Sequence, residues 1–257
     1  LHRVDRRQRQ MCIRDSMIYA MDAIVNQAAK WSHMLGGQAH PGLTIRSIIN
    51  RGGEQGAQHS QALHAWFAHV PGLRVVMPST VADARDLLIA SVLCKDPVMY
   101  IDDRWLYEQE DELPPIIELD LTLQRPVTSI YGSDITIVAS GHASLLARES
   151  AKKLKNENIS AEVVDVRVLN PFYIEEIVKS VKKTRSFLVI DSGTLSGGFS
   201  AEIISKTVEN LQIGCLKNSP VRIALPDAPA PTSKILENEY YTSTNDVVNS
   251  VKKMLQN

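Results

Sequence analysis

Net charge is nearly absent from this chain: 28 lysines and arginines stand against 29 acidic residues, leaving −1 over 257 residues. Such a balance gives no basic field for nucleic acid or an anionic membrane surface, so a charged ligand has to be met by local groups. No apolar run approaches the roughly 18 residues that a spanning helix needs, and no charged start followed by an apolar core marks a secretory signal. The expectation is a cytoplasmic protein with neither nucleic acid nor membrane as partner. Cysteine is scarce and odd in number. Cys12, Cys94 and Cys215 are far apart with no CxxC pair, which excludes a disulfide framework or zinc ribbon and fits reduced thiols. No internal repeat of solenoid length is visible. What is present is 44% hydrophobic and 22% charged, ordinary globular composition with enough chain for two modest cores.

Residues with chemical potential concentrate between Arg46 and Ser79. Gly52, Gly53 and Gly56 let the chain turn tightly and deliver Gln58-His59-Ser60-Gln61 to a defined place, so His59 is presented and not buried in mid-element. Ser60 reads as the N-cap of a helix running through Leu63, Ala65, Trp66 and Phe67, stopped by Pro71-Gly72. His59, His64 and His69 fall five apart. That spacing turns a helix by about 500° and spreads them over different faces, which disfavours a shared metal. The loop also lacks the Lys-Ser/Thr ending of a P-loop and the dinucleotide glycine fingerprint.

Along the rest of the chain, Met17 to Leu35 has the apolar spacing of a helix, with Met17, Ala20, Met21, Ile24, Val25, Ala28 and Ala29 on one face. His33 and His40 read as solvated loop-edge residues. Leu43 to Ile49, Leu73 to Met77 and Val98 to Ile101 read as strands around a helix opened by a Thr80–Asp83 capping box. The stretch 108–128, acidic and then proline-bearing, reads as a linker. Beyond it come strands at Asp134–Ser140, Ala161–Val168, Phe187–Asp191 and Val221–Leu225, alternating with helices at Ala143–Asn156, Ile174–Lys183 and Phe199–Leu211. Continuous apolar strands alternating with helices predict an α/β fold of two doubly wound, mostly parallel-sheet domains, at 17–107 and 129–257. Gly193 to Gly198, between a strand and a helix, reads as the turn into that helix, with a ligand loop as the alternative. Gly141-His142 carries the same ambiguity. Leu1 to Ser16 has five arginines and no apolar pattern. Its MCIRDS ending is similar to translated adapter sequence, so 1–16 is expected to be foreign and the first domain incomplete at its start.

Thr44-Ile45-Arg46, the glycine loop, Gln58-His59-Ser60-Gln61, Trp66 to Leu73 and Val75 to Ser79 together resemble the beta subunits of the thiamin diphosphate-dependent 2-oxo acid dehydrogenases, pyruvate dehydrogenase being the type. The likeness runs from about Ile18 to the C-terminus. It implies a transketolase-like pyrimidine-binding domain followed by a transketolase C-terminal-like domain, an alpha subunit in a heterotetramer of two alpha and two beta chains, and a lipoyl acyltransferase core. It also implies oxidative decarboxylation of a 2-oxo acid, pyruvate being the commonest, with acyl transfer to lipoyl. Thiamin diphosphate would be shared with the alpha subunit, which holds the Mg2+; the absence here of a GDG motif agrees with that division. In the family's pattern His59 is the catalytic proton carrier, with a structural loop histidine as its alternative. Tyr19 is the matched position nearest the pyrimidine site, and Leu43, Ser91, Val92, Cys94 and Asp96 are the positions of a backbone-carbonyl potassium site. The glutamate that activates the aminopyrimidine precedes every matched residue, so this chain as written is expected to turn over no substrate alone. Two other readings stay open: part of a single-chain transketolase-like enzyme of the deoxyxylulose phosphate synthase type, and a non-catalytic paralogue serving as an interaction module.

Overall fold

The alternation of strand and helix becomes two mainly parallel sheets in the computed structural model, which describes residues 15–256. Residues 1–14, most of the segment read as foreign and including Cys12, lie outside the described residues. The opening helical run is less regular than its spacing predicts. Helix α1 (Asp15–Tyr19) gives way to a π-helical stretch at Asp22–Gln27 and a 3-10 turn at Ala28–Lys30 before α2 (Trp31–Met34). Its apolar face survives the irregularity, with Met17, Ile24 and Ala29 buried.

Strand β1 (Thr44–Ile49) leads through two short helices, α3 (Gly56–His59) and α4 (His64–Ala68), to β2 (Arg74–Val76); α5 (Val81–Leu93) then carries the chain to β3 (Val98–Asp103). β3 lies between β1 and β2, parallel to both. It is buried along its whole length, as a central strand covered on two faces must be. The N-cap half of the capping box forms as the spacing predicts, Asp83 N–H donating to Thr80 Oγ1 at 3.1 Å, while the Asp83 carboxylate accepts from Arg167. The buried stripe of α5 is narrow. Leu87, Ala90 and Ser91 are covered, while Ala84 and Val92, one near each end, are exposed.

The second half contains β4 (Val127–Ile130), β5 (Ile135–Ala139), α6 (His142–Lys155), β6 (Ala161–Asp165), β7 (Val168–Asn170), α7 (Glu175–Thr184), β8 (Phe187–Thr194), α8 (Phe199–Glu209), β9 (Val221–Leu225), α9 (Lys234–Tyr240) and α10 (Thr244–Gln256). Its sheet has the order β4-β6-β5-β8-β9, parallel except for β4 against β6. One expectation changes. The run Ala161 to Val168 is two strands, broken where Arg167 takes φ +55. After the break β7 leaves its own sheet and pairs antiparallel with β2 of the first. The apolar pattern continues through the break because both pieces are buried, so periodicity could not reveal it.

Successive strand residues serve different cores. Val138, Val164, Phe187 and Val189 face a cluster that also takes Ile49, Phe67, Val75 and Met99 from the first half. Ile137, Val163, Leu188 and Ile190 point the other way, onto α6 and α10. The two sheets thus share a common core, and the loops after their strands meet over it.

Candidate active site

Beyond β1 the chain reaches Arg51, buried and paired with Asp103 at the end of β3 (Nη2 to Oδ2, 2.6 Å). Asp103 also accepts Trp105 N–H, and the Arg51 guanidinium lies over the Trp105 ring. Gly52 follows at φ +68, where a Cβ would come within 2.5 Å of that indole; only glycine allows so close an approach. Gly53, Glu54 and Gly56 also have positive φ, so the chain coils back at once into α3. His59 closes this single turn, half-buried. Ser60 therefore ends a helix where the sequence predicted that it would start one. Helix α4 begins at His64 with no side-chain cap, because Gln61 to Leu63 are spent crossing between the two helices.

Gln58, Ser60, Gln61 and Trp66 line one wall of a cleft of about 710 Å³. Its other wall comes from the second half: Gly193, Thr194, the Ser196–Gly198 turn, Asp227 and Tyr240. The Gly193 to Gly198 stretch is thus both the turn into α8 and the face of a cleft. His59 itself is not part of this wall. Beneath the cleft, His64 Nε2 meets Asp191 Oδ1 at 2.9 Å, and the imidazole is only 1% exposed. Asp191 also accepts the N–H groups of Gly193 and Ser200 at 2.9 and 2.7 Å. Burial alone would push this carboxyl up, but His64 and the two amides outweigh it and hold it down at about 2. Burial acts without such help on His142 at the start of α6. Desolvation, aided by the Arg51 charge and opposed by Asp103, lowers its imidazole to about 4.

Tyr19 is 96% exposed and borders neither this cleft nor the second one, which lies between Ala28–Gly37 and Arg74–Pro97. So exposed a side chain does not by itself hold an aminopyrimidine ring. Leu43, Ser91, Val92, Cys94 and Asp96 lie around the C-terminal end of α5. Thr44 Oγ1 donates to Ser91 O at 2.8 Å, and Gly42 N donates to Lys95 O at 3.0 Å, bringing Leu43 against the helix end. The carbonyls of Leu43 and Ser91 already accept Val98 N–H and Thr44 Oγ1, each at 2.8 Å. The Asp96 carboxylate is held by Arg74 at 2.7 Å, with His40 at 3.7 Å, and would contribute to a potassium site through its backbone only.

Sequence reasoning missed the partners of these residues. His64 carries no local sign of burial, Asp191 reads as the polar end of a strand, and Glu237, whose carboxylate meets the Glu54 amide at 3.1 Å, lies 183 residues from its contact in an unassigned helix. Each pair joins segments that no short-range pattern connects.

Comparison with known proteins places these features. The pyrimidine-binding domain model of transketolase matches residues 14–109, and the transketolase C-terminal domain model matches 127–247. The acetoin:2,6-dichlorophenolindophenol oxidoreductase beta subunit of Cupriavidus necator is 34% identical over 94% of this chain and 71% of its own length. The pyruvate dehydrogenase E1 component beta subunit of Rhizobium meliloti is 32% identical over 91% of this chain and half of its own length. A mitochondrial 2-oxoisovalerate dehydrogenase beta subunit of Arabidopsis thaliana is 34% identical over 93% and 66%. Among solved structures, a split-gene transketolase in an inactive beta4 tetramer aligns with TM-score 0.68 at 24% identity, covering 92% of this chain and 74% of that one. With two transketolase-type sheets, the matched QHSQ loop and relatives of this similarity, the chain belongs to the family of transketolase-like beta subunits of 2-oxo acid and acetoin dehydrogenases.

Proposed function

We propose that this chain is the beta subunit of a cytoplasmic 2-oxo acid dehydrogenase, working with an alpha chain in a heterotetramer and passing an acyl group to lipoyl on an acyltransferase core. The observation that supports it is the half-buried His59 at the end of a glycine-coiled turn whose base is fixed by the buried Arg51–Asp103 pair. An imidazole can both give and take a proton, as transfer to the lipoyl sulfur requires, and a fixed base keeps it within reach. Thiamin diphosphate, shared with the alpha chain that holds its Mg2+, supplies the carbanion chemistry when bound. Potassium at Leu43, Ser91, Val92, Cys94 and Asp96 would brace the end of α5 against the strand beside it. Relatives named for pyruvate, 2-oxoisovalerate and acetoin define the substrates to compare.

The test is His59→Ala in the full-length protein with its alpha partner. Acyl transfer to lipoyl should fall by roughly 100- to 10,000-fold, while decarboxylation read with an artificial electron acceptor falls less. Equal loss in the two assays, or no loss in either, would return His59 to a structural role.

A further inference from the structure

The second half of the chain reaches across to the turn that carries His59, and does so through a buried acid. Glu237 lies on α9 and is 5% exposed. Its carboxylate oxygens both lie 3.1 Å from one donor, the backbone N–H of Glu54. The contact is reciprocal, since Glu54 Oε1 accepts the N–H of Lys234, the first residue of α9, at 3.3 Å. Glu54 is held at φ +59, a conformation that non-glycine residues adopt only at a cost and only when surroundings impose it. Two residues on, Gly56 sits against Thr232, where a Cβ would be 3.5 Å from Cγ2. Gly56 starts the turn that His59 ends. Burying a carboxylate is expensive unless donors meet it, and the donor that meets Glu237 is the Glu54 amide.

We propose that Glu237 is a positioning residue: through the Glu54 amide it sets the place of the Gly56–His59 turn, and hence of the His59 imidazole, from the far half of the chain. The proposal rests on the His59 reading given above. A displaced turn leaves substrate binding intact and removes alignment, and misplacement of a catalytic group by about 1 Å is worth roughly 100-fold in rate.

The experiment uses full-length chain with its alpha partner and three variants: Glu237→Ala, Glu237→Gln and the double variant Glu237→Ala with His59→Ala. Glu237→Ala should lower kcat for acyl transfer to lipoyl roughly 10- to 100-fold with KM for the 2-oxo acid unchanged. Glu237→Gln keeps an oxygen that accepts the Glu54 N–H and should recover most of that rate. The double variant should be no slower than His59→Ala, because the acid acts only through the imidazole. Amide hydrogen exchange at Glu54, accelerated in Glu237→Ala and protected in Glu237→Gln, reads the anchor without reference to activity. Where the alanine variant fails to fold, Glu237→Asp takes its place, too short by one methylene to reach. Unchanged Glu54 exchange, or a further loss in the double variant, would overturn the positioning role. Altered exchange together with a His59→Ala chain that transfers acyl groups normally would instead overturn the reading of His59 and leave the anchor standing.

Discussion

Asp191 and Asp165 sit on strands β8 and β6, which flank β5 in the second sheet, and both are buried partners of residues from the first half. Asp191 takes His64 of α4 and two backbone amides. Asp165 takes the Ser79 hydroxyl on Oδ2 and is faced by the Ser144 hydroxyl, with the Arg148 guanidinium 3.7 Å away. Arg148 directs its closer bonds to Ser79, Nη1 to Oγ at 3.0 Å and Nη2 to the carbonyl at 2.9 Å. Burial therefore wins at Asp165, aided by the charge of Asp83, and pushes its carboxyl up to about 6, whereas at Asp191 the donors win. Equal burial produces opposite shifts. What decides the sign is the kind of donor aimed at the charged form, an imidazole and two backbone amides at Asp191 against hydroxyls and a more distant guanidinium at Asp165.

The largest expected effect is at the junction where the donors win. Asp191→Ala leaves a buried imidazole and two amides without their acceptor, and should lower unfolding stability by about 3–5 kcal/mol. A shift of the urea midpoint at unchanged slope measures it; a loss under about 1 kcal/mol would mean that the pair contributes little and that packing holds α4 in place.

The second effect separates the two junctions by pH. The Asp191 carboxyl is depressed when folded, so its contribution is present above pH 4 and is lost as pH falls from about 4 toward 2. Asp165 is raised when folded, so its contribution is present below pH 4 and is lost as pH rises from about 4 through 6. Asp165→Asn should abolish that second loss, worth on the order of 2–3 kcal/mol between pH 4 and 7. Parallel stability curves for wild type and variant across this window would break the comparison.

The smallest effect dissects the Asp165 side. Thr80 follows Ser79 and caps α5 through the Asp83 amide, and Asp83 is also bonded by Arg167 at 3.0 Å. Thr80→Ala should cost about 1 kcal/mol through the cap alone, leaving the pH dependence of stability as it was. A change in that dependence would show that α5 and Asp165 act as one unit.

Much of this was legible beforehand. The strand at Val221–Leu225 and the Thr80–Asp83 box lie where the sequence put them, since both depend on residues within a few positions of one another. Ser60 misled because a good N-cap residue is equally at home just past a helix end, and its neighbours decide between the two. Strand β7 and helix α9 went unread for a different reason. One continues an apolar run that belongs to two sheets, and the other is a short helix of mixed polarity in which Glu237 has no sequence neighbour to explain its burial.

The sequence by itself determined the alternation of elements, the glycine coil before His59 and the family to which the chain belongs, because periodicity, turn chemistry and motif wording are properties of adjacent residues. Only the tertiary structure decided which acid meets which donor. His64 finds Asp191 across 127 positions, Ser79 finds Asp165 across 86, and Glu54 finds Glu237 across 183. The free energy of a buried charge depends on whatever the fold brings within hydrogen-bonding distance of it, and a linear pattern holds no record of that distance.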